Sequence, residues 1–300
     1  MLTGLLRFLT KGLSHLSSSQ ALSAAGVLAR IILAFNTESA RVTRRNIELC
    51  FPRLSDVEQA ELVKESMLHT ALFPFEFSQI VHWPYEKLQT LIDRVEGQEL
   101  IEDALTSRQG LFVMMPHFGH FEFVSFFLGA GYAFAALFKP PGLAALESII
   151  TETRKRHGGH MYPTTQAGVR KLIRYMREGN LVMMLPDQVP DRDARGMAST
   201  FFGRPVLTMS LAHRIIKQNK PCVLFASVER VVVDGTLKYV LRFERGVEGV
   251  ESDDEQTYAD AVNASIEHII ERAPAQYQWE YKRFKRAPGH EEKQDSLYRG

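Results

Sequence analysis

Two five-residue runs with wholly apolar side chains, Leu111-Phe112-Val113-Met114-Met115 and Leu181-Val182-Met183-Met184-Leu185, constrain this chain more than any other feature. Each is too short for a helix and lacks the alternation of a strand with one wet face, so both faces must be covered, as in a parallel sheet. A third run, 221–228, apolar except for Ser227, also reads as a strand. Helical patterns lie between them: 119–128, a segment opening behind Pro140-Pro141 and running to about 157, 166–178, and 208–219, with a further strand at 132–138. Gly179-Asn180 stops the third of these helices. The β-rich runs 231–233 and 238–243 flank Asp234-Gly235, a hairpin turn signal. Ser55 with Glu58, and Ser252 with Glu255, form capping boxes, the second before a last helix ending near Arg272. The order is α/β, with a mostly parallel central sheet flanked by helices and a mostly helical N-terminal third.

Residues 1–45 stand apart. Arg7, Lys11, Arg30, Arg41, Arg44 and Arg45 are opposed only by Glu38, among leucines at near-helical spacing. No window reaches the roughly 18 uncharged apolar residues of a spanning helix, and no small-x-small cleavage site follows the first apolar stretch. The expectation is one or two helices lying in a membrane interface with their cations toward anionic headgroups. A second apolar stretch, 121–138, is broken by Gly129 and Gly131 and belongs in the core. Over the whole chain the charge is balanced, 36 Lys and Arg against 35 Asp and Glu, which gives no footprint for nucleic acid. The two cysteines, Cys50 and Cys222, make no redox pair or zinc motif, which suits a reducing compartment.

The chemistry is narrowed by what is missing. No GxSxG, GxxxxGK, GxGxxG or HExxH occurs, so serine hydrolases, P-loop enzymes, dinucleotide enzymes and zincins lose their signatures. What remains is Pro116-His117-Phe118-Gly119-His120-Phe121-Glu122 directly after a buried strand, at the carboxyl end of the sheet, where open α/β folds place their sites. Residues five apart within one helix point about 140° apart, so His117 and Glu122 meet only across a turn, which Gly119 permits. An imidazole can take a proton from an attacking hydroxyl, and a carboxylate on its other nitrogen fixes the tautomer. The pair suits acyl transfer to an alcohol without a covalent enzyme intermediate. The spacing alone also fits a loop histidine beside a capping glutamate.

The other motifs sharpen this. His-x4-acid is followed in order by Arg154-Lys155-Arg156-His157-Gly158, Leu185-Pro186-Asp187-Gln188, Thr200-Phe201-Phe202-Gly203-Arg204-Pro205, and Gln276-Tyr277-Gln278-Trp279-Glu280-Tyr281-Lys282-Arg283-Phe284-Lys285. With Asn46-Ile47-Glu48-Leu49-Cys50-Phe51-Pro52 behind a basic apolar leader, the chain resembles the late acyltransferases of bacterial lipid A biosynthesis over nearly its whole length. The resemblance implies the fold of glycerol-phosphate acyltransferases. It also implies transfer of an acyl chain from acyl-carrier protein, with no cofactor, to a hydroxyl of a lipid A precursor (Kdo-lipid IVA type) at the cytoplasmic face of the bacterial inner membrane. On that basis His117 is the general base, Glu122 its partner, and Arg154, Asp187, Gln188, Arg283 and Lys285 bind substrate; residues 1–45 are the membrane-associating segment and 46–300 a single acyltransferase domain. His120-Phe121 stands where many members have Asn-Trp, a departure that bears on the acceptor.

Two other readings compete. An acyltransferase for a lysophospholipid, aminolipid or glycolipid keeps the His-acid pair, although the phospholipid enzymes typically carry Phe-Pro-Glu-Gly where this chain has Leu185-Pro186-Asp187-Gln188. A non-enzymatic membrane scaffold accounts for the N-terminus but not for the ordered polar residues at strand ends. Lys282, Arg283, Lys285 and Arg286 are expected to form a cationic patch for the acidic carrier protein or for acceptor phosphates.

Overall fold

The two apolar runs lie side by side at the centre of a seven-stranded sheet. The computed structural model describes residues 2–138, 144–156, 158–191, 194–289 and 295–298, without the side chains of 144–147, 154, 155, 295 and 296. The N-terminal third holds α1 (Leu2–Leu13), α2 (Ser18–Ala34), α3 (Glu38–Cys50), α4 (Asp56–His82) and α5 (Tyr85–Gln89). Then follow β1 (Ile92–Glu96), α6 (Gln98–Thr106), β2 (Leu111–Met114), α7 (Glu122–Gly131), β3 (Phe134–Phe138), α8 (Ala144–Arg156), β4 (Gly159–Pro163), α9 (Gln166–Arg177) and β5 (Leu181–Met184). The chain continues through β6 (Gly196–Phe201), β7 (Arg204–Met209), α10 (Ser210–Asn219), β8 (Cys222–Val233), β9 (Thr236–Glu244) and α11 (Glu255–Arg272).

The sheet order is β1-β9-β8-β2-β5-β3-β4. Every pairing is parallel except β8 with β9, which form the hairpin at Asp234-Gly235, both with positive φ. Successive side chains of a strand point to opposite faces, and here both faces are covered. Phe112, Met114, Val182 and Met184 enter one core cluster, whereas Leu111, Val113, Leu181 and Met183 enter the other. Full burial of one such side chain contributes about 1.5–3 kcal/mol. That two-sided burial is why these strands read as unbroken apolar runs.

The structure departs from the expected elements at several points. The run at 221–228 and the first arm of the hairpin are one continuous strand, β8. The expected helix start at 208 is instead the end of β7, which pairs antiparallel with β6 in a separate two-stranded sheet. Ser55 and Glu58 do form a capping box, but the cap of α11 is Asp254, whose side chain accepts from the Thr257 N–H, so Ser252 lies outside that helix.

At the N-terminus Ala21, Ala25 and Ala29 of α2 pack on Met67, Ala71, Leu72 and Phe75 of α4. Small residues four apart let the two helices approach closely. In contrast α1 buries none of its residues, and Leu2, Leu5, Phe8 and Leu9, with Val27, Leu28, Ile31 and Phe35, are exposed. No single helix among the described residues is long and apolar enough to cross a membrane. The α1–α2 pair reaches that length and composition only together, across a bend of 118°.

Candidate active site

The strand register explains how the site assembles. In β2 and β5, which are adjacent and parallel, Met114 pairs with Met184. Three residues beyond each lie His117 and Asp187, at the same height above the carboxyl edge of the sheet. The His117 Nδ1 is 2.8 Å from Asp187 Oδ1, and the His117 backbone N–H donates to Asp187 Oδ2 at 2.8 Å. An ionised carboxylate only accepts, so Nδ1 carries the proton and Nε2 presents a lone pair. The Gln188 amide nitrogen lies 3.2 Å from that Nε2.

The loop carrying His117 is pinned by backbone bonds. The N–H groups of Gly119 and His120 donate to the carbonyls of Gln276 and Val228, and the Gln278 N–H donates to the His117 carbonyl. Gly119 has φ +57°, and a Cβ there would sit 1.6 Å from the Val228 carbonyl oxygen, so only glycine fits. The turn expected at Gly119 is therefore also a contact between the loop and β8. It delivers Glu122 as the first residue of α7.

Electrostatics follow from this packing. Burial disfavours the His117 imidazolium, but the Asp187 carboxylate and its hydrogen bond, with the charges of Glu122 and Glu280, outweigh it, so His117 titrates above its ordinary value. Burial alone would raise Asp187. The charge and hydrogen bonds of His117, with the charge of Arg283, hold it below the usual carboxylate range. Burial, and the nearby Asp187 carboxylate, push the Tyr277 hydroxyl well above its ordinary value.

Of the residues singled out in the sequence, the structure gathers four around one cavity. His117, Glu122 and Gln188 line a space of about 500 Å³, with Asp187 directly behind His117. The carboxylate hydrogen-bonded to the imidazole is that of Asp187, whereas Glu122 stands on the cavity wall and acts on His117 through its charge. The rest of the wall is largely apolar and rich in methionine, including Met115, Leu137, Met161, Met183, Met184 and Met209. Arg154 lies on α8, and its side chain, like that of Lys155, is outside the described residues.

The C-terminal cations do not form the exposed patch expected of them. Arg283 is 2% exposed and donates to the Leu207 carbonyl, and buried Arg286 donates to the carbonyls of Pro190 and Asp191. Lys282 pairs with Glu38 at 2.6 Å, and the Lys285 ammonium stands 4.6 Å from the centre of the Tyr281 ring. The same stretch braces the Asp187 loop, since the Tyr281 hydroxyl accepts from the Val189 N–H. The apolar neighbours Trp279 and Phe284, both buried, draw the segment into the core.

Sequence reasoning also missed a buried ion pair. Glu76 on α4 accepts two hydrogen bonds of 2.7 Å from the Arg230 guanidinium and a third from the Tyr239 hydroxyl. Burial would raise Glu76, yet Arg230 and the neighbouring histidines bring it down to about 2. A lone glutamate in the run Ala71-Leu72-Phe73-Pro74-Phe75-Glu76-Phe77 was its signal. His120, beside this pair, is buried and pushed down to about 4, chiefly by burial; it belongs to the core rather than to the cavity.

Comparisons with known proteins agree on one family. Residues 3–286 match the bacterial lipid A biosynthesis acyltransferases. The chain is 26% identical over 247 residues to the lipid A biosynthesis palmitoleoyltransferase of Escherichia coli (strain K12), covering 82% of this chain and 79% of that one. It is 24% identical over 261 residues to the lauroyltransferase of the same organism (87% and 84% covered), and 24% identical over 267 residues to its myristoyltransferase (87% and 80%).

Proposed function

The chain belongs to the bacterial lipid A biosynthesis acyltransferase family, and from that premise we propose that it moves a fatty acyl chain from acyl-carrier protein to a hydroxyl of a lipid A precursor, with His117 as general base. The observation that carries this reading is a histidine fixed in one tautomer by Asp187 and opening onto a mostly apolar cavity of about 500 Å³. That volume is within the range of small-molecule sites. Each acyl methylene buried in it contributes about 0.8 kcal/mol, and methionine walls adapt to a flexible chain.

In the proposed reaction the acceptor hydroxyl approaches Nε2 in place of the Gln188 amide. Its proton passes to Nε2 as its oxygen attacks the thioester carbonyl carbon, and a C–O bond forms. The tetrahedral intermediate collapses with cleavage of the C–S bond, and the imidazolium returns its proton to the leaving thiolate. The Asp187 carboxylate holds the tautomer and stabilises the imidazolium, as does the charge of Glu122. Arg154 is assigned to the substrate's oxygen charge on the strength of its motif alone.

The exposed apolar faces of α1 and α2 support membrane association through 1–45, and the family supports the inner membrane, read here at its cytoplasmic face, with 46–300 as the transferring unit. The experiment is mass spectrometry of lipid A from cells from which the protein has been removed. The expected result is a lipid A lighter by one acyl chain, restored by the wild-type protein and not by His117→Ala. An unchanged lipid A with altered phospholipid acylation would transfer the reading to another membrane lipid.

A further inference from the structure

His117 is a wall between two cavities. Besides the apolar one, a smaller chamber of about 170 Å³ is lined by His69, Thr70, Phe73, Pro74, Gly119, Arg230, Gln276, Tyr277 and Glu280. Only His117, Phe121 and Gln278 border both spaces among the described residues. The lining chemistry of the two differs. The large cavity is walled mostly by apolar side chains, five of them methionines, whereas the chamber is walled mostly by aromatic rings and hydrogen-bonding groups.

Resting on the functional reading above, we propose that this chamber takes the hydroxyl-bearing polar segment of the acceptor, a part with neighbouring hydrogen-bonding oxygens, and that Glu280 and Thr70 are its specificity-determining residues. The size is the first argument. At 170 Å³ the chamber is below the roughly 300 Å³ of a small-molecule site, so it admits one end of a larger ligand and not a whole lipid. Position is the second. An acyl thioester in the apolar cavity and a hydroxyl in the chamber meet at the seam of His117, Phe121 and Gln278, and of these three His117 is the residue able to take the proton.

The third argument is hydrogen-bonding capacity left over. Glu280 accepts from the Thr70 hydroxyl at 3.2 Å. A carboxylate has about four lone-pair sites, so accepting capacity remains for a ligand donor. Glu280 makes no salt bridge among the described residues, since the Arg230 guanidinium is committed to Glu76, and burial pushes its carboxyl up. A half-buried carboxyl without a cation in contact is costly even with the charge of Arg230 nearby, and an incoming hydroxyl would lower that cost. His69 also lines the chamber, although its Nδ1 is buried behind the wall and not open to the space. Its pKa is pushed down to about 3, first by burial and then by Arg230, so it is neutral.

The test uses full-length Glu280→Gln and Thr70→Val, both close in shape to the native side chains, with KM measured separately for acyl-carrier-protein donor and for lipid acceptor. Loss of a hydrogen bond to a charged group corresponds to roughly ten- to a hundredfold. The acceptor KM is expected to rise by that factor in Glu280→Gln and by about two- to tenfold in Thr70→Val, with donor KM within about twofold. Equilibrium binding of the acceptor in detergent micelles, without donor, should weaken in parallel. Unchanged acceptor KM and binding in both variants, while the wild type transfers normally, would overturn the assignment. So would equal shifts for donor and acceptor that track a lowered melting temperature. A wild type that transfers nothing to a lipid A precursor would instead overturn the functional reading beneath it.

Discussion

Replacing Asp187 by asparagine tests how His117 is set up, because the structure fixes what the change does. Asp187 is 2% exposed and accepts from both the backbone N–H and the Nδ1 of His117, each at 2.8 Å. An asparagine has one oxygen for these two donors. If the oxygen stays on the backbone N–H, the amide nitrogen faces Nδ1, which must then be unprotonated, and Nε2 carries the hydrogen and is no longer a base. The opposite flip sets two N–H groups against each other. A charge-assisted hydrogen bond is worth about 1.5–3 kcal/mol, and the corresponding swap in a Ser-His-Asp triad costs about 10⁴ in kcat, so a loss on the order of 10²–10⁴ in kcat/KM is expected. The pH profile gives a second readout. A general base works only when neutral, so the acid limb of kcat/KM in the wild type should lie above pH 6.5, because His117 is raised. Asp187→Asn removes the carboxylate that outweighs burial, and the residual activity should show a limb shifted to lower pH. The assay is transfer from acyl-carrier protein over about pH 5 to 9, on protein whose melting curve shows it folded. A loss below threefold, or a limb that stays or moves upward, would refute the tautomer argument.

Glu122→Gln should also lower the acid limb while costing less rate than Asp187→Asn, since it removes a charge from the cavity wall and leaves the hydrogen bond intact; rate profiles of the two variants compare them. Gly119→Ala adds a Cβ at 1.6 Å from the Val228 carbonyl and φ strain of about 1–3 kcal/mol, so it should lower the melting temperature and abolish transfer together. Glu76→Gln breaks a buried pair and should cost about 3–5 kcal/mol in urea denaturation. Because Glu76 is held down near 2 from 4.5, its contribution in the wild type is present above pH 4.5 and fades as pH falls toward 2. Phe8→Glu with Leu9→Glu, both on the exposed side of α1, should reduce sedimentation with anionic vesicles without changing the melting temperature.

What could be read in the sequence follows physical lines. β2 and β5 were legible because two-sided burial leaves no polar residue in them, and the β8–β9 hairpin because Asp234-Gly235 suits a turn with two positive φ values. The edge strands were not. β1 (Ile-Asp-Arg-Val-Glu) and β4 (Gly-His-Met-Tyr-Pro) have one free edge and partly exposed side chains, so no apolar run marks them. β6 does alternate buried and exposed positions, but its buried set includes Ser199, bonded to Asp260 and Asn263, which hides the pattern. His117 was found by its place after a strand. Its bond to Asp187 lies 70 residues away in sequence, and only the parallel register equates the two positions. The matching apolar-Pro-polar triplets Met115-Pro116-His117 and Leu185-Pro186-Asp187 were the local sign of that equivalence. His69, Thr70 and Arg230 carried no sign, because a helix of the N-terminal third and a sheet strand meet at the chamber only in the folded chain.

The central claim is transfer of an acyl group to a lipid A precursor by a base-competent His117. The most direct test incubates purified wild-type protein and His117→Ala with acyl-carrier-protein donor and precursor, and follows the precursor by mass spectrometry. The account predicts a mass gain of one ester-linked acyl chain, about 10² to 10⁴ slower in the variant, with both proteins melting alike. Wild-type protein that leaves the precursor unchanged, or folded His117→Ala that acylates it at the wild-type rate, would contradict it.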